Sequence, residues 1–262
     1  MCLILVLLQV RPDYPLIVAA NREERRNRPA TPPFRWDTTP TLWAGRDQAA
    51  GGTWLGVNEA GLVASITNRP ERPPGAGGLG PPLNDPALPS RGALCLAALE
   101  QTSPAAALDV VSQQLEASHY NPFNLVCANI QGGWVTTWRG ATQQLRRGRH
   151  IISNRGDPDD GGLPVVRRAR RLLHGVDLVT PPLADLLPLL GRLCANTGGT
   201  SPICRPGGER GTVSSSLIAL DAEGQVAAYL HANGPPSEVG YEPVEMRLDR
   251  QPRPSGERGK DA

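Results

Sequence analysis

The chain opens on a nearly unbroken apolar run. Residues 3–10 and 16–20 are rich in Leu, Ile and Val, and Arg11, Pro12, Asp13, Tyr14 and Pro15 separate them. Two β-forming runs around a proline-bearing polar break predict a hairpin. The first run lacks polar alternation, so its strand is expected to be buried. Residues 25–40 are polar and proline-rich and are expected to be a loop. Residues 53–57 and 61–67 predict a second strand pair around the tight turn Asn58, Glu59, Ala60, Gly61. A Pro/Gly loop is expected over residues 69–89.

Helical spacing begins after Ser90, which is placed to cap an apolar helix through about residue 100. Ser103 and Pro104 open a second helix, to about residue 117. Residues 123–130 and 134–139 predict strands joined at Gly132 and Gly133, and 150–153 a short strand. Helices are expected over 163–173 and 184–195, and a last hairpin over 213–220 and 226–231. The order strands, two helices, strands, two helices, strands predicts an α+β fold with two sheets between two helix layers. Residues 1–247 are expected to form one domain. Residues 248–262, rich in Pro, Arg and Gly, are expected to be a disordered tail.

Composition narrows the function classes. Aromatics are only 4% of residues, so the core must be aliphatic. A net charge of +2 is too small to call for a nucleic-acid partner. The Arg clusters at 25–28, 146–149 and 167–171 lack the interleaved aromatics of a single-strand groove and are expected to be solvated. The apolar start has no basic flank or small-residue cleavage site, and it is too short to span a bilayer. No transmembrane segment and a cytoplasmic location are therefore expected. Gly75, Gly77 and Gly80 match G-x-G-x-x-G, but no strand precedes them and Pro81 and Pro82 follow, which excludes a dinucleotide loop. The five cysteines fit no disulfide framework or metal pair, and Cys95 and Cys127 sit in apolar runs as expected core residues.

Cys2 differs from the others by position. Cleavage of Met1, which a small second residue permits, would leave a thiol and a free α-amine on one residue. An α-amine has an ordinary pKa of about 7.7–8.0, so it can serve as base for its own thiol near neutrality.

Several motifs give this position a context. The segments Asn21, Arg22, Glu23, Glu24 and Ala44, Gly45, Arg46, Asp47 are two of them, with Gly51, Gly52, Thr53, Trp54 and Leu55 following. Further on come Asn121, Pro122, Phe123, Asn124; then Ile152, Ser153, Asn154; then the run 211–216. Together with the Met-Cys start they resemble the NRDE-domain family, also called the transport and Golgi organisation family. That family is similar to the cysteine amidases of the N-terminal-nucleophile (Ntn) hydrolase superfamily, which include bile-salt hydrolases and penicillin V acylases.

The resemblance implies a four-layer αββα sandwich of Ntn-hydrolase type. It implies Cys2 as nucleophile and an acidic residue, Glu23, holding the amine and thiol beside Asn21 and Arg22. It also implies Asn68 and Asn154 as donors to the substrate carbonyl, which suits a tetrahedral acyl intermediate. The sequence departs from the pattern at Glu23, where Asp is usual. Ala19 and Ala20 stand where the amidases carry an Arg, and Val213 stands where the family tends to have one. Two readings follow. One is an amidohydrolase with a small-molecule amide substrate and no cofactor. The other is a non-catalytic protein that binds haem or an acyl lipid in the same pocket, with Cys2, His119 or His231 as conceivable haem ligands. Nothing in the pattern fixes an oligomeric state.

Overall fold

The computed structural model describes residues 2–69 and 85–246. The G-x-G-x-x-G match and the tail expected over 248–262 lie outside the described residues. In chain order the elements begin with strands β1 Leu3–Leu8, β2 Leu16–Arg25, β3 Ala30–Trp36, β4 Leu42–Asp47, β5 Leu55–Asn58 and β6 Val63–Asn68. Helices α1 Arg91–Leu99 and α2 Pro104–Ala117 follow, then β7 Phe123–Asn129, β8 Gly132–Thr137, β9 Thr142–Leu145 and β10 Gly148–Ser153. The chain then runs through helices α3 Pro164–Leu172 and α4 Leu183–Cys194 and strands β11 Arg210–Leu220, β12 Val226–Ala232 and β13 Glu242–Pro243.

The strands form two antiparallel sheets. One has the order β10-β1-β2-β11-β12-β13, the other β3-β4-β5-β6-β7-β8-β9. Alternation along each strand divides the side chains between two layers. In β1, Leu3, Leu5 and Leu7 join Val165, Val166 and Ala169 of α3 and Leu186 and Leu190 of α4. Ile4, Val6 and Leu8 turn the other way and meet Leu55, Val63 and Val126 of the second sheet. The outer face of that sheet packs Ala64, Phe123 and Leu125 on Leu94, Ala98 and Val111 of α1 and α2. Helices thus cover both sheets, giving the four layers αββα. That is why all six residues of β1 are buried although the sheet is antiparallel.

The helix starts follow local chemistry. Ser103 Oγ accepts the Ala106 N–H at 3.2 Å, and Pro104 occupies the first turn of α2. Ser90 stands at the N-cap position of α1 without a side-chain bond to the helix. The Asn58 turn is held from both sides. Its Oδ1 accepts the N–H groups of Ala60 and Leu62, each at 3.0 Å, while its Nδ2 donates to Leu99 O at 2.7 Å and Gln101 O at 2.6 Å. Gly61 sits at φ +73, and a Cβ there would lie 2.3 Å from Gly224 O, so this turn must be glycine to meet the β11–β12 hairpin.

The structure corrects one reading. Residues 25–40, expected to be a loop, instead contain the end of β2 and all of β3. Pro32 and Pro33 cannot donate to a ladder, but β3 is an edge strand and its register shifts between Thr31 and Phe34.

Candidate active site

One end of the sandwich holds the chemistry. In register, Leu3 lies opposite Asn21 of β2 and opposite Ser153 of β10. One step further sets Cys2 between Arg22 and Asn154. Two backbone contacts fix it there. The Glu23 N–H donates to Cys2 Sγ at 3.1 Å, and the Asn154 N–H donates to Cys2 O at 3.2 Å. Ser214 of β11 is in register with Arg22 and extends the row across a fourth strand. Val213, between Thr212 and Ser214, is the extra residue of a bulge.

The opposite wall comes from the second sheet. Trp54, Ser65 and Thr67 line a cleft with Cys2, Arg22 and Ser214. Its cavity of about 20 Å³ is roughly the room one water occupies. The Arg22 guanidinium lies 4.0 Å from the centre of the Trp54 ring, and Asp47 approaches it from behind at 3.7 Å while pairing with Arg28 at 2.8 Å. A Cβ on Gly45 would stand 2.5 Å from Trp54 Cη2. The Ala44–Asp47 motif therefore does two things: it gives Trp54 room, and it supplies the carboxylate that holds Arg22 in the cleft.

Cys2 is 8% exposed. Burial pushes its thiol above the usual range, and Glu24 adds to this, while Arg22 and Arg210 pull it back down. The sulfur accepts the Glu23 N–H at 3.1 Å and donates its own S–H to Glu23 O at 3.6 Å, so one backbone unit holds the neutral thiol. Two residues lining the cleft carry buried oxygens with no hydrogen-bond partner, Thr67 Oγ1 and Ser214 Oγ, and Asn154 Oδ1, in the row with Cys2, is a third. A buried polar atom left unbonded costs on the order of 1–3 kcal/mol, so hydroxyls left unbonded in this cleft are not there for stability.

The residues singled out from sequence are placed differently from one another. Cys2, Arg22 and Asn154 share the row just described. Asn21 is 3% exposed and lies opposite Leu3, on the face covered by α3 and α4. There its Nδ2 donates to Cys194 O at 2.8 Å and Ile203 O at 3.2 Å, tying the end of α4 to the sheet. Glu23 places its carboxylate 3.3 Å from Arg205, and its backbone is what touches Cys2. Asn68 ends β6 opposite Phe123, and directly opposed residues share a face, so its side chain starts toward α1 and α2.

Sequence reasoning assigned no role to Thr67, Ser214 or Trp54. Counting alternate positions from Val63, an inter-sheet residue, would have pointed to Ser65 and Thr67. Asn124 belongs to the Asn121–Asn124 motif. It donates to Ser153 O and Gly156 O, each at 3.0 Å, and so clamps the segment carrying Asn154 to the second sheet.

Among the described residues no three His, Cys, Asp or Glu gather as a metal site would need. His231 Nδ1 lies 2.9 Å from Ser216 Oγ, and burial draws its pKa down to about 4. No helix among the described residues is long and apolar enough to cross a membrane.

A family model described as "TANGO2: Transport and Golgi organisation 2" matches residues 1–177. The chain is 35% identical over 138 residues to a Transport and Golgi organization protein 2 homolog of Bos taurus, covering 50% of this chain and 46% of that protein. It is 31% identical over 169 residues to the Homo sapiens homolog, covering 61% of this chain and 52% of that one. It thus spans about half the length of these relatives. Penicillin V acylase from Agrobacterium tumefaciens has a similar structure, with a TM-score of 0.56 at 14% identity, over 88% of this chain and 83% of that one. The Caenorhabditis elegans ortholog of N-acylethanolamine-hydrolyzing acid amidase gives 0.52 at 11% identity, over 85% and 93%. These likenesses show the fold, that of the Ntn-hydrolase acylases.

Proposed function

The chain belongs to the Transport and Golgi organisation 2 family, and from that premise and the cleft's geometry we propose that it is an amidohydrolase cleaving a linear C–N amide through Cys2. One observation carries the reading. The Cys2 thiol faces the space between the sheets, its sulfur accepts a backbone N–H at 3.1 Å, and Arg22 and Asn154 stand on either side.

The proposed steps are these. Removal of Met1 frees the α-amine of Cys2, and Glu23 holds it. Burial keeps the thiol protonated at rest, so the proton must pass from Sγ to the neutral amine as sulfur attacks. The new C–S bond forms, and the carbonyl electron pair moves onto oxygen, where Asn154 donates to it. As that oxyanion collapses, the C–N bond breaks and the amine carries its proton to the departing nitrogen. Water then adds to the thioester, giving its proton to the same amine. The C–S bond breaks, the acid leaves, and the thiol is restored. No cofactor enters these steps. By their names one neighbour is a penicillin V acylase and the other an ortholog of N-acylethanolamine-hydrolyzing acid amidase, which supports acyl-group chemistry for a chain of this fold.

The test has two parts. Intact mass of the purified protein should show a chain starting at Cys2, and an acyl donor should add one acyl group to it. Cys2→Ala should remove both the adduct and the turnover. Turnover that survives Cys2→Ala sinks the proposal. Haem, the other occupant the resemblance allows, is checked by titrating haemin into the same protein. A Soret shift lost in Cys2→Ala would favour that reading.

A further inference from the structure

The polar groups of the cleft are not all alike. Ser65 Oγ donates to Trp54 O at 3.2 Å, and Ser216 Oγ meets His231 Nδ1 at 2.9 Å. These two hydroxyls are satisfied within the protein. Thr67 and Ser214, 2% and 5% exposed, line the same cleft, and neither hydroxyl has a partner. Valine at 67 and alanine at 214 would fill similar space with nothing left unbonded, so packing alone does not explain the two hydroxyls.

Their placement relative to Cys2 gives them a use. Ser214 lies in Cys2's own sheet, in register with Arg22, two strands away, which is about 10 Å at ordinary strand spacing. Thr67 lies opposite Asn124, whose side chain bonds across to Ser153, so Thr67 faces Cys2's sheet from the other side. The two hydroxyls thus line the cleft that Cys2 lines, one from each sheet.

We propose that Thr67 and Ser214 select the substrate: the cleft takes an amide whose acyl group is short and carries its own hydrogen-bonding group, such as a hydroxy- or amino-acyl amide, in preference to a long alkyl one. The inference rests on the amidohydrolase reading and narrows its substrate. A polar acyl group satisfies both hydroxyls on binding. An alkyl chain leaves them unbonded and further desolvated, the situation in which sites built for hydrogen bonding reject an analogue.

The experiment uses the full chain with Met1 removal verified by mass. Two amides with one chromogenic leaving group are compared, a 2-hydroxyacyl and an octanoyl amide, alongside the matching thioesters as labels for Cys2. Wild type should prefer the hydroxyacyl amide in kcat/KM by at least about 10-fold, the scale of one neutral hydrogen bond. Thr67→Val and Ser214→Ala should each reduce that preference, mainly through KM, and Thr67→Ser should restore it. Thermal melts confirm that each variant folds. If no amide is hydrolysed but thioester labelling of Cys2 keeps the preference and loses it in Thr67→Val, the amidohydrolase reading falls and this one stands. Equal use of the two acyl groups, equal loss for both in the variants, or no labelling by either thioester overturns it.

Discussion

The protein buries thiols in two very different neighbourhoods. Cys95 of α1 and Cys127 of β7 sit in the outer core among Ala64, Leu94, Phe123 and Leu125. Cys2 sits at the end of the inter-sheet space among Arg22, Trp54, Thr67 and Ser214. All three are nearly sealed from solvent, at 0%, 4% and 8% exposure for Cys95, Cys127 and Cys2. Burial raises all three pKa values, and for Cys127 it is the sole cause, pushing the thiol up to about 12. Around Cys2 two arginines oppose it, whereas at Cys95 a backbone bond from Ile66 does and at Cys127 nothing does. Burial is therefore no measure of reactivity by itself. The neighbours that burial brings along decide whether a thiol is inert filler or a restrained nucleophile.

The hardest test of that contrast is exchange at the thiols themselves. Cys2→Ala should lower kcat by at least about 10⁴-fold, the scale for loss of a nucleophile. Cys127→Ala should leave kcat in place and show only a lowered melting temperature. Loss of turnover in Cys127→Ala would dissolve the distinction. The next largest effect separates the two asparagines. Asn154→Ala should cost about 10²–10³-fold in kcat, as for an oxyanion donor, with a smaller loss for Asn68→Ala. The reverse order would show that the end of β6 turns its side chain into the cleft.

A third prediction concerns stability rather than rate, at a group whose shift comes from burial although Glu242 lies opposite it in register. His231 has its pKa lowered from 6.5 to about 4, by burial. The unfolded chain then binds the proton more readily. Stability is full above pH 6.5 and is lost as pH falls toward 4, by about 3 kcal/mol at the limit. Urea midpoints measured across that range should fall more steeply in wild type than in His231→Gln. The smallest effect lies at the cleft. Arg22 lowers the Cys2 pKa, so Arg22→Ala should move the pH midpoint of Cys2 alkylation upward, with Arg22→Lys restoring part of it. A downward shift would mean that Arg22 acts on Cys2 through something other than its charge.

Much of this was written in the local pattern. Leu3 to Leu8 lack polar alternation because helices cover both sheets, so that strand announced its burial on both faces. Ser103 and Pro104 announced α2, and the Asn58 turn announced its hairpin. Motif resemblance led to Cys2, Arg22 and Asn154, which the fold sets in one row. The strand at Ala30–Trp36 was hidden, because Pro32 and Pro33 signal a loop unless the strand is at an edge, and edge position is a property of the whole sheet.

The sequence by itself determined that neighbouring residues in β2 and β6 face opposite ways, since a strand's side chains alternate whatever surrounds it. It could not say which face is the cleft. That depended on where the helices settled. With α4 covering the first sheet, Asn21 became a tie to Cys194 O while Arg22 entered the cleft. With α1 and α2 covering the second, Asn68 turned toward them and Thr67 toward Cys2. A one-residue choice of face is invisible to motif spacing, and only packing between the layers decided it.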